Sequence, residues 1–353
     1  LTASVATEQT APSSDLRSEL SLAAHTATLT FAPNLAAADH AALTAASRPA
    51  AGAPVRVARL ETNGSLRVAT IALGKDDPKG SRYDLWLEGV NDTWRLQITD
   101  AEESGAAQAP KVVGQIPLFR FASPGPSPTF SAALVAQTRD AGRLVLRWGP
   151  YEAGTDLQFT DPPRRRQTER TPPNVTTNRA HDEDTSALSR ARLLAQRNET
   201  AISFPDGRRL SASFARQGLE ITGPDFPRVA SATDGSVVLL TESAVPRLRI
   251  EAPLRFGTTS VRTGNQVAGQ PGSYGMWLKR AGGGWRLVLN HEADAWGSQH
   301  EPKSDAAEIS LTHSDRHPAS RPFAVGLMPI GADRGRLVIQ WGPHEWTADF
   351  VKE

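Results

Sequence analysis

Five of the eight histidines lie beyond residue 290, and four of them come with carboxylates: His291, Glu292, Asp294, His300, Glu301, then His313, Asp315 and His317. Imidazoles and carboxylates are the donors a divalent metal takes, and a metal-activated water would make such a place a hydrolase. His313-X3-His317 would present two ligands together if that stretch were helical. The flanks argue otherwise, because Ser314 and Asp315 lead into His317-Pro318 as a loop does. No His-Glu-X-X-His arrangement pairs ligands with a general base. The corresponding place in the N-terminal half holds Asp100, Glu102 and Glu103 without a histidine. The expectation is solvated loop histidines, with no metal and no cofactor.

Other chemistries find less footing. The 353 residues contain no cysteine, no Gly-X-Ser-X-Gly elbow, no phosphate loop and no dinucleotide fingerprint, so the chain is not expected to be an enzyme. With 39 basic and 38 acidic residues the net charge is +1, which advertises no nucleic-acid surface. No apolar run approaches the roughly 20 residues that cross a bilayer as a helix. Four residues stand out for contact with a ligand or partner. Trp86 and Trp277 alternate away from the inferred core, and an exposed ring there would stack on a sugar or anchor a protein partner. Arg262 and Asn265 flank the turn Arg262-Thr-Gly-Asn265, where Gly264 permits a positive φ and the guanidinium would hold an anion.

The elements that must carry these residues repeat. Arg143-Leu-Val-Leu-Arg-Trp-Gly-Pro-Tyr-Glu152 returns as Arg336-Leu-Val-Ile-Gln-Trp-Gly-Pro-His-Glu345. Tyr83-Asp-Leu-Trp-Leu with Trp94-Arg-Leu returns as Tyr274-Gly-Met-Trp-Leu with Trp285-Arg-Leu. Alternation puts Tyr83, Leu85 and Leu87 inward on one strand and Trp94, Leu96 and Ile98 inward on its hairpin partner. The second copy does the same with Tyr274, Met276 and Leu278, a Gly282-Gly283-Gly284 turn, then Trp285, Leu287 and Leu289. Leu144, Leu146 and Trp148 alternate in one closing strand, and Leu337, Ile339 and Trp341 in the other. Glu152 and Glu345 recur at the strand ends and are expected to pair with arginines. Short alternating strands, with 28 Gly and 26 Pro to turn them, predict an all-β chain of two tandem β-sandwich modules related by internal duplication.

The expected division is a flexible tail over 1–20, a first sandwich over 21–160, a polar Pro/Arg-rich linker over 161–198, and a second sandwich over 199–353. The linker carries a candidate short helix at Ser186–Arg197. The Leu1-Thr-Ala-Ser opening reads as a mature end left by signal cleavage, which would place the chain in the periplasm or outside the cell.

From Val261 onward the chain reads Arg262-Thr-Gly-Asn-Gln266, Gly272-Ser-Tyr-Gly275, Trp285-Arg-Leu-Val-Leu-Asn290, Trp296-Gly297 and Arg336 to Trp341. In this order the segments resemble a bacterial family known only as domain of unknown function 2911, over roughly 236–350. The chain departs from it where the family's Ala-Asn-Glu becomes Asn265-Gln266. The resemblance implies an exported β-sandwich of the cell envelope without an established activity. The functional expectation is a non-catalytic interaction protein, an accessory subunit that contacts other protein subunits on the outer face of a membrane complex. A carbohydrate- or small-ligand-binding module comes second, and a metal-dependent hydrolase third.

Overall fold

The computed structural model describes residues 15–22, 25–32, 54–74, 81–90, 93–101, 111–121, 127–138, 140–149, 151–160, 197–215, 222, 226–240, 245–263, 272–293, 300–315, 319 and 321–353. The first half contributes β1 (Leu16–Leu22), β2 (His25–Phe31), β3 (Val55–Thr62), β4 (Leu66–Val68), β5 (Ile71–Leu73) and β6 (Ser81–Val90). It continues with β7 (Thr93–Asp100), β8 (Val112–Pro117), β9 (Phe119–Phe121), β10 (Ser127–Ala136), β11 (Ala141–Gly149) and β12 (Tyr151–Phe159). The second half contributes β13 (Arg197–Ser203), β14 (Arg209–Ala215), a short helix α1 (Phe226–Ala230), β15 (Val237–Val238), β16 (Arg247–Ile250), β17 (Leu254–Phe256) and β18 (Thr259–Val261). It ends with β19 (Ser273–Ala281), β20 (Gly284–Asn290), β21 (Asp305–Ser314), β22 (Ala324–Pro329), β23 (Arg334–Trp341) and β24 (His344–Lys352).

The chain is all-β, and its two halves pair their strands in the same order. In the first, β1, β2, β3, β6, β7 and β8 follow one another across a sheet, and β10, β11, β12, β4 and β5 across a second. In the second, β13, β14, β16, β19, β20 and β21 make the first sheet, and β22, β23, β24, β17 and β18 the other. β9 joins β12 opposite Glu152, and the end of β21 joins β24 opposite Glu345, so the crossing strands correspond too. β15 is an addition, hydrogen-bonded to β19.

Aromatics clamp the sheets face to face in both halves. Trp94 meets Trp148 edge-on at 5.1 Å, and its equivalent Trp285 meets Trp346, which stands where the first half has Ala153, at 5.4 Å. Phe31 and Phe130 pack edge to face, as do Phe214 and Phe323 at the equivalent positions. The hairpin turn at Gly282-Gly283 takes φ of 58° and 75°, the left-handed pair that suits a two-residue connection. Tyr83 and Tyr274 each latch the turn after the short β4–β5 or β17–β18 hairpin. The Gly74 N–H donates to Tyr83 Oη at 2.7 Å, and Tyr274 Oη donates to the Arg262 carbonyl.

The halves are one body rather than two beads. β1 pairs antiparallel with β13, with Ser18 opposite Ile202 and Leu20 opposite Thr200, so the large sheet runs unbroken from β8 to β21. Leu16, Leu20 and Leu22 are buried in a core cluster that includes residues of both halves. Burying a leucine contributes roughly 1.5–3 kcal/mol, so docking of β1 is a substantial apolar contribution to the joint. Arg209 reaches across the joint to Glu19 at 3.0 Å while holding Glu199 of its own half at 2.7 Å.

These features move three expected boundaries. The tail expected over 1–20 ends sooner, because Leu16-Arg-Ser-Glu-Leu-Ser-Leu22 alternates buried and less buried positions as a strand. The linker expected over 161–198 gives up Arg197 and Asn198, and the second module begins at Arg197 rather than 199, because β13 opens there with Asn198 buried. The remainder of that linker, and its candidate helix up to residue 196, lie outside the described residues.

Candidate functional site

Of the four residues expected to make contacts, the three that are described, Trp86, Trp277 and Arg262, stand in different surroundings. Trp277 is 2% exposed. Leu239 and Val245, which lie between β14 and β16 in the chain, and Val288 of β20 pack with the ring, and His300 sits 5.4 Å from it. An outward-alternating position names a face of the strand, and here that face is covered. Trp86 is half-buried on β6, where its indole N–H donates to Thr99 Oγ1 at 2.9 Å. Arg262 is exposed just after β18, and its carbonyl is what Tyr274 holds. Asn265 lies outside the described residues.

The histidines disperse as well. His291 is exposed beside Tyr274, whose ring lies 5.4 Å away. His300 contacts Asp305 at 2.6 Å, and Asn290 donates to the same carboxylate oxygen and to the Glu301 carbonyl, both at 2.9 Å. The buried Asn290 thus ties the 300–305 segment to the end of β20, a structural use for the asparagine that closes the Trp285-Arg-Leu-Val-Leu-Asn290 motif. His313 meets His344 instead, Nε2 to Nδ1 at 3.1 Å, with both rings packed against Trp346. His317 and Asp294 lie outside the described residues. Among the described residues no group of three or more histidines and carboxylates is placed to hold a metal.

Ionisable groups converge elsewhere, where the closing sheets of the two halves meet. The inward faces of β11 and β23 carry the leucines and tryptophans, so Arg143, Val145 and Arg147, and likewise Arg336, Val338 and Gln340, occupy the opposite faces. β10 and β22 bring these faces together. Thr129 Oγ1 donates to the Ile330 carbonyl at 3.0 Å, and Gly326 is needed because a Cβ there would lie 3.0 Å from a Val135 methyl. The result is a cleft of about 80 Å³ lined from both halves, with four arginines (143, 147, 321, 336) against two glutamates (152, 345). Val135, Val145, Leu327, Met328 and Val338 supply apolar wall.

Cross-strand register orders the charges. Arg143 stands opposite Asp156 and holds it at 2.7 Å, and Arg336 stands opposite Asp349 with Nη2 at 2.8 Å from Oδ2. Arg147 stands opposite Glu152, 3.3 Å away and deeply buried. The equivalent position in the second half is Gln340, opposite Glu345, so register offers no cation there. Arg321 replaces it from the segment before β22, reaching Glu345 and the His344 carbonyl at 3.1 Å and the Gly342 carbonyl at 3.2 Å.

Burial is the main influence on this group. It pulls the Arg147 guanidinium below its ordinary pKa, with Arg336 adding to the effect, and it pulls Arg321 down in the same way. It pushes the Glu152 carboxyl up, against the opposing pull of Arg147 and with help from Glu345. Arg336 moves the other way, raised chiefly by its hydrogen bond to Asp349. Arg143, Arg147, Arg321 and Arg336 thus each meet a carboxylate, Asp156, Glu152, Glu345 and Asp349 in turn, so the group is charge-balanced beside the apolar wall.

Residues 252–350 match a family model described as a protein of unknown function, DUF2911. The match lies in the C-terminal region and is consistent with a DUF2911 module there. The match begins at 252 rather than 236, and takes in Arg321, Arg336, Gln340 and Glu345, the second half's share of the cleft. No curated protein and no solved structure matches the chain.

The recurrence of Glu152 and Glu345 pointed toward arginine partners, and Arg147 and Arg321 are those partners. Arg143 and Arg336 recur in the closing strands as well, but alternation alone places them on an outer face and does not show that the two outer faces meet. No helix among the described residues is long and apolar enough to cross a membrane.

Proposed function

We propose that the protein is a non-catalytic interaction protein of the cell envelope, an accessory subunit that offers one rigid double-sandwich surface to other protein subunits. The observation that carries this reading is how the recurring side chains are used. Tyr83 and Tyr274 latch turns, Phe31 and Phe214 clamp sheets, and Glu152 and Glu345 are neutralised by arginines, so what the halves share is architecture. Fusion of the halves through β1 and β13 supports it further, because a surface that does not flex loses less entropy when a partner docks.

The test is cross-linking in intact cells of the native source, followed by purification under mild detergent and mass determination of the particle containing this chain. The reading expects a defined assembly with partner chains in fixed proportion. Recovery of this chain chiefly as a free monomer at native abundance would count against it.

A further inference from the structure

We propose that His313 and His344 form a binding site for a divalent transition metal ion that takes imidazole nitrogen, zinc or copper, a property separate from the subunit reading. His313 lies near the end of β21 opposite Trp346, and His344 opens β24 two residues before Trp346, so both imidazoles stand on one face of neighbouring strands. Their facing nitrogens, His313 Nε2 and His344 Nδ1, are 3.1 Å apart. Metal–nitrogen bonds of about 2.0–2.1 Å hold two imidazole nitrogens of one ion about 2.9–3.4 Å apart, from square-planar to tetrahedral angles. The rings meet nearly head-on, with centroids 5.3 Å apart, so a small turn of each aims both lone pairs at one ion. Each neutral ring then carries its proton on the other nitrogen.

The surroundings suit an ion. Both rings pack on Trp346 with centroids 5.4 Å away, at 25° and 31° to its plane, so their orientation is largely set before an ion arrives. His313 is exposed, and among the described residues no third donor completes the set, so the remaining coordination positions fall to water. Two imidazoles without carboxylate ligands select zinc or copper over magnesium, which asks for oxygen. The Asp315 carboxylate, exposed just past β21, acts on both rings and adds negative charge beside the ion. Of the opposing cations, Arg280 lies over the Trp285 ring and Arg321 is held by Glu345. The pair also stands outside the shared architecture. Register puts Arg120 and Tyr151 at the equivalent places of the first half, and Ala153 where Trp346 stands, so the common fold does not require these histidines.

The experiment is titration calorimetry on the full chain, stripped with a chelator and dialysed free of it, with zinc chloride, copper(II) chloride and magnesium chloride as probes. His313→Gln removes one ligand, and His344→Tyr removes the other by installing the first half's residue. The proposal expects saturable binding of zinc or copper, weakened about tenfold or more by either change, unchanged by His291→Gln, and no binding of magnesium. Should His344→Tyr fail to fold, His313→Gln decides, together with the paramagnetic resonance spectrum of the copper-loaded protein, which should show two coupled imidazole nitrogens in the unaltered chain and one in the variant. Absence of saturable zinc and copper binding to the unaltered protein, binding that His313→Gln leaves untouched, or magnesium binding of equal strength would each overturn it.

Discussion

Ser18 stands opposite Ile202 across the β1–β13 pair, and Thr200, the residue equivalent to Ser18 in the second half, stands opposite Leu20. The joint is thus its own image about the Glu19–Ala201 pair. Both hydroxyls are buried and each ties its strand to the closing sheet: the Leu134 N–H donates to Ser18 Oγ at 2.9 Å, and Thr200 Oγ1 donates to the Val325 carbonyl at 3.0 Å.

Ser18→Ala leaves the Leu134 N–H without its acceptor and should destabilise the protein by about 1–3 kcal/mol. Thr200→Val leaves a carbonyl short of one donor and should cost less, about 1 kcal/mol, since carbonyls tolerate this better than amides. Urea unfolding of the two variants checks the order. A larger loss for Thr200→Val contradicts it.

Trp277→Ala should destabilise by about 3–5 kcal/mol, because the ring is enclosed by Leu239, Val245 and Val288 and leaves a cavity. Trp86→Ala, at a half-buried position, should cost clearly less. Equal losses in denaturant titrations would mean that the two tryptophans share one environment after all.

Removing the cation that replaces Arg147 in the second half has a compensating change built into the register. Arg321→Met removes the guanidinium that meets Glu345 at 3.1 Å and should cost about 3 kcal/mol. Adding Gln340→Arg places a guanidinium opposite Glu345, as Arg147 lies opposite Glu152, and should recover part of that loss. A double variant no more stable than Arg321→Met alone would refute the equivalence of the two positions.

Acid sensitivity should come from the His313–His344 pair. Burial depresses both pKa values; His344 pulls His313 further down, while Asp315 opposes the shift in both, and Arg280 and Arg321 favour the neutral rings. With folded values below the unfolded value near 6.5, the unfolded chain binds more protons in the window between them. The contribution is therefore intact above about pH 6.5 and lost as pH falls below it. His344→Tyr, the residue the first half carries at the equivalent Tyr151, should flatten the decline of Tm between pH 7 and 5. An unchanged slope would assign the acid sensitivity to other groups.

Much of this fold is legible in the sequence because strand alternation is a local signal. Tyr83 to Leu87, Tyr274 to Leu278 and the two closing strands bury the residues that alternation assigns inward. β1 also alternates, but its leucines stand among Arg, Ser and Glu beside a polar tail, a composition that masks the pattern. For Trp277 the limit is different. A period of two separates the faces of a strand and cannot say that Leu239 and Val245 come back to cover one of them. The cleft is least legible of all, since Arg147 and Glu152 are near neighbours while Arg321, Arg336 and Glu345 arrive from the other half of the chain through the β1–β13 joint.

Both the subunit reading and the shared cleft require the halves to behave as one body. Equilibrium urea unfolding of the full chain, followed together by far-ultraviolet circular dichroism and tryptophan fluorescence, measures this directly. The account predicts one transition with coincident midpoints for both probes, shifted as a whole by Ser18→Ala. Two separated transitions, with only one moved by Ser18→Ala, would contradict it.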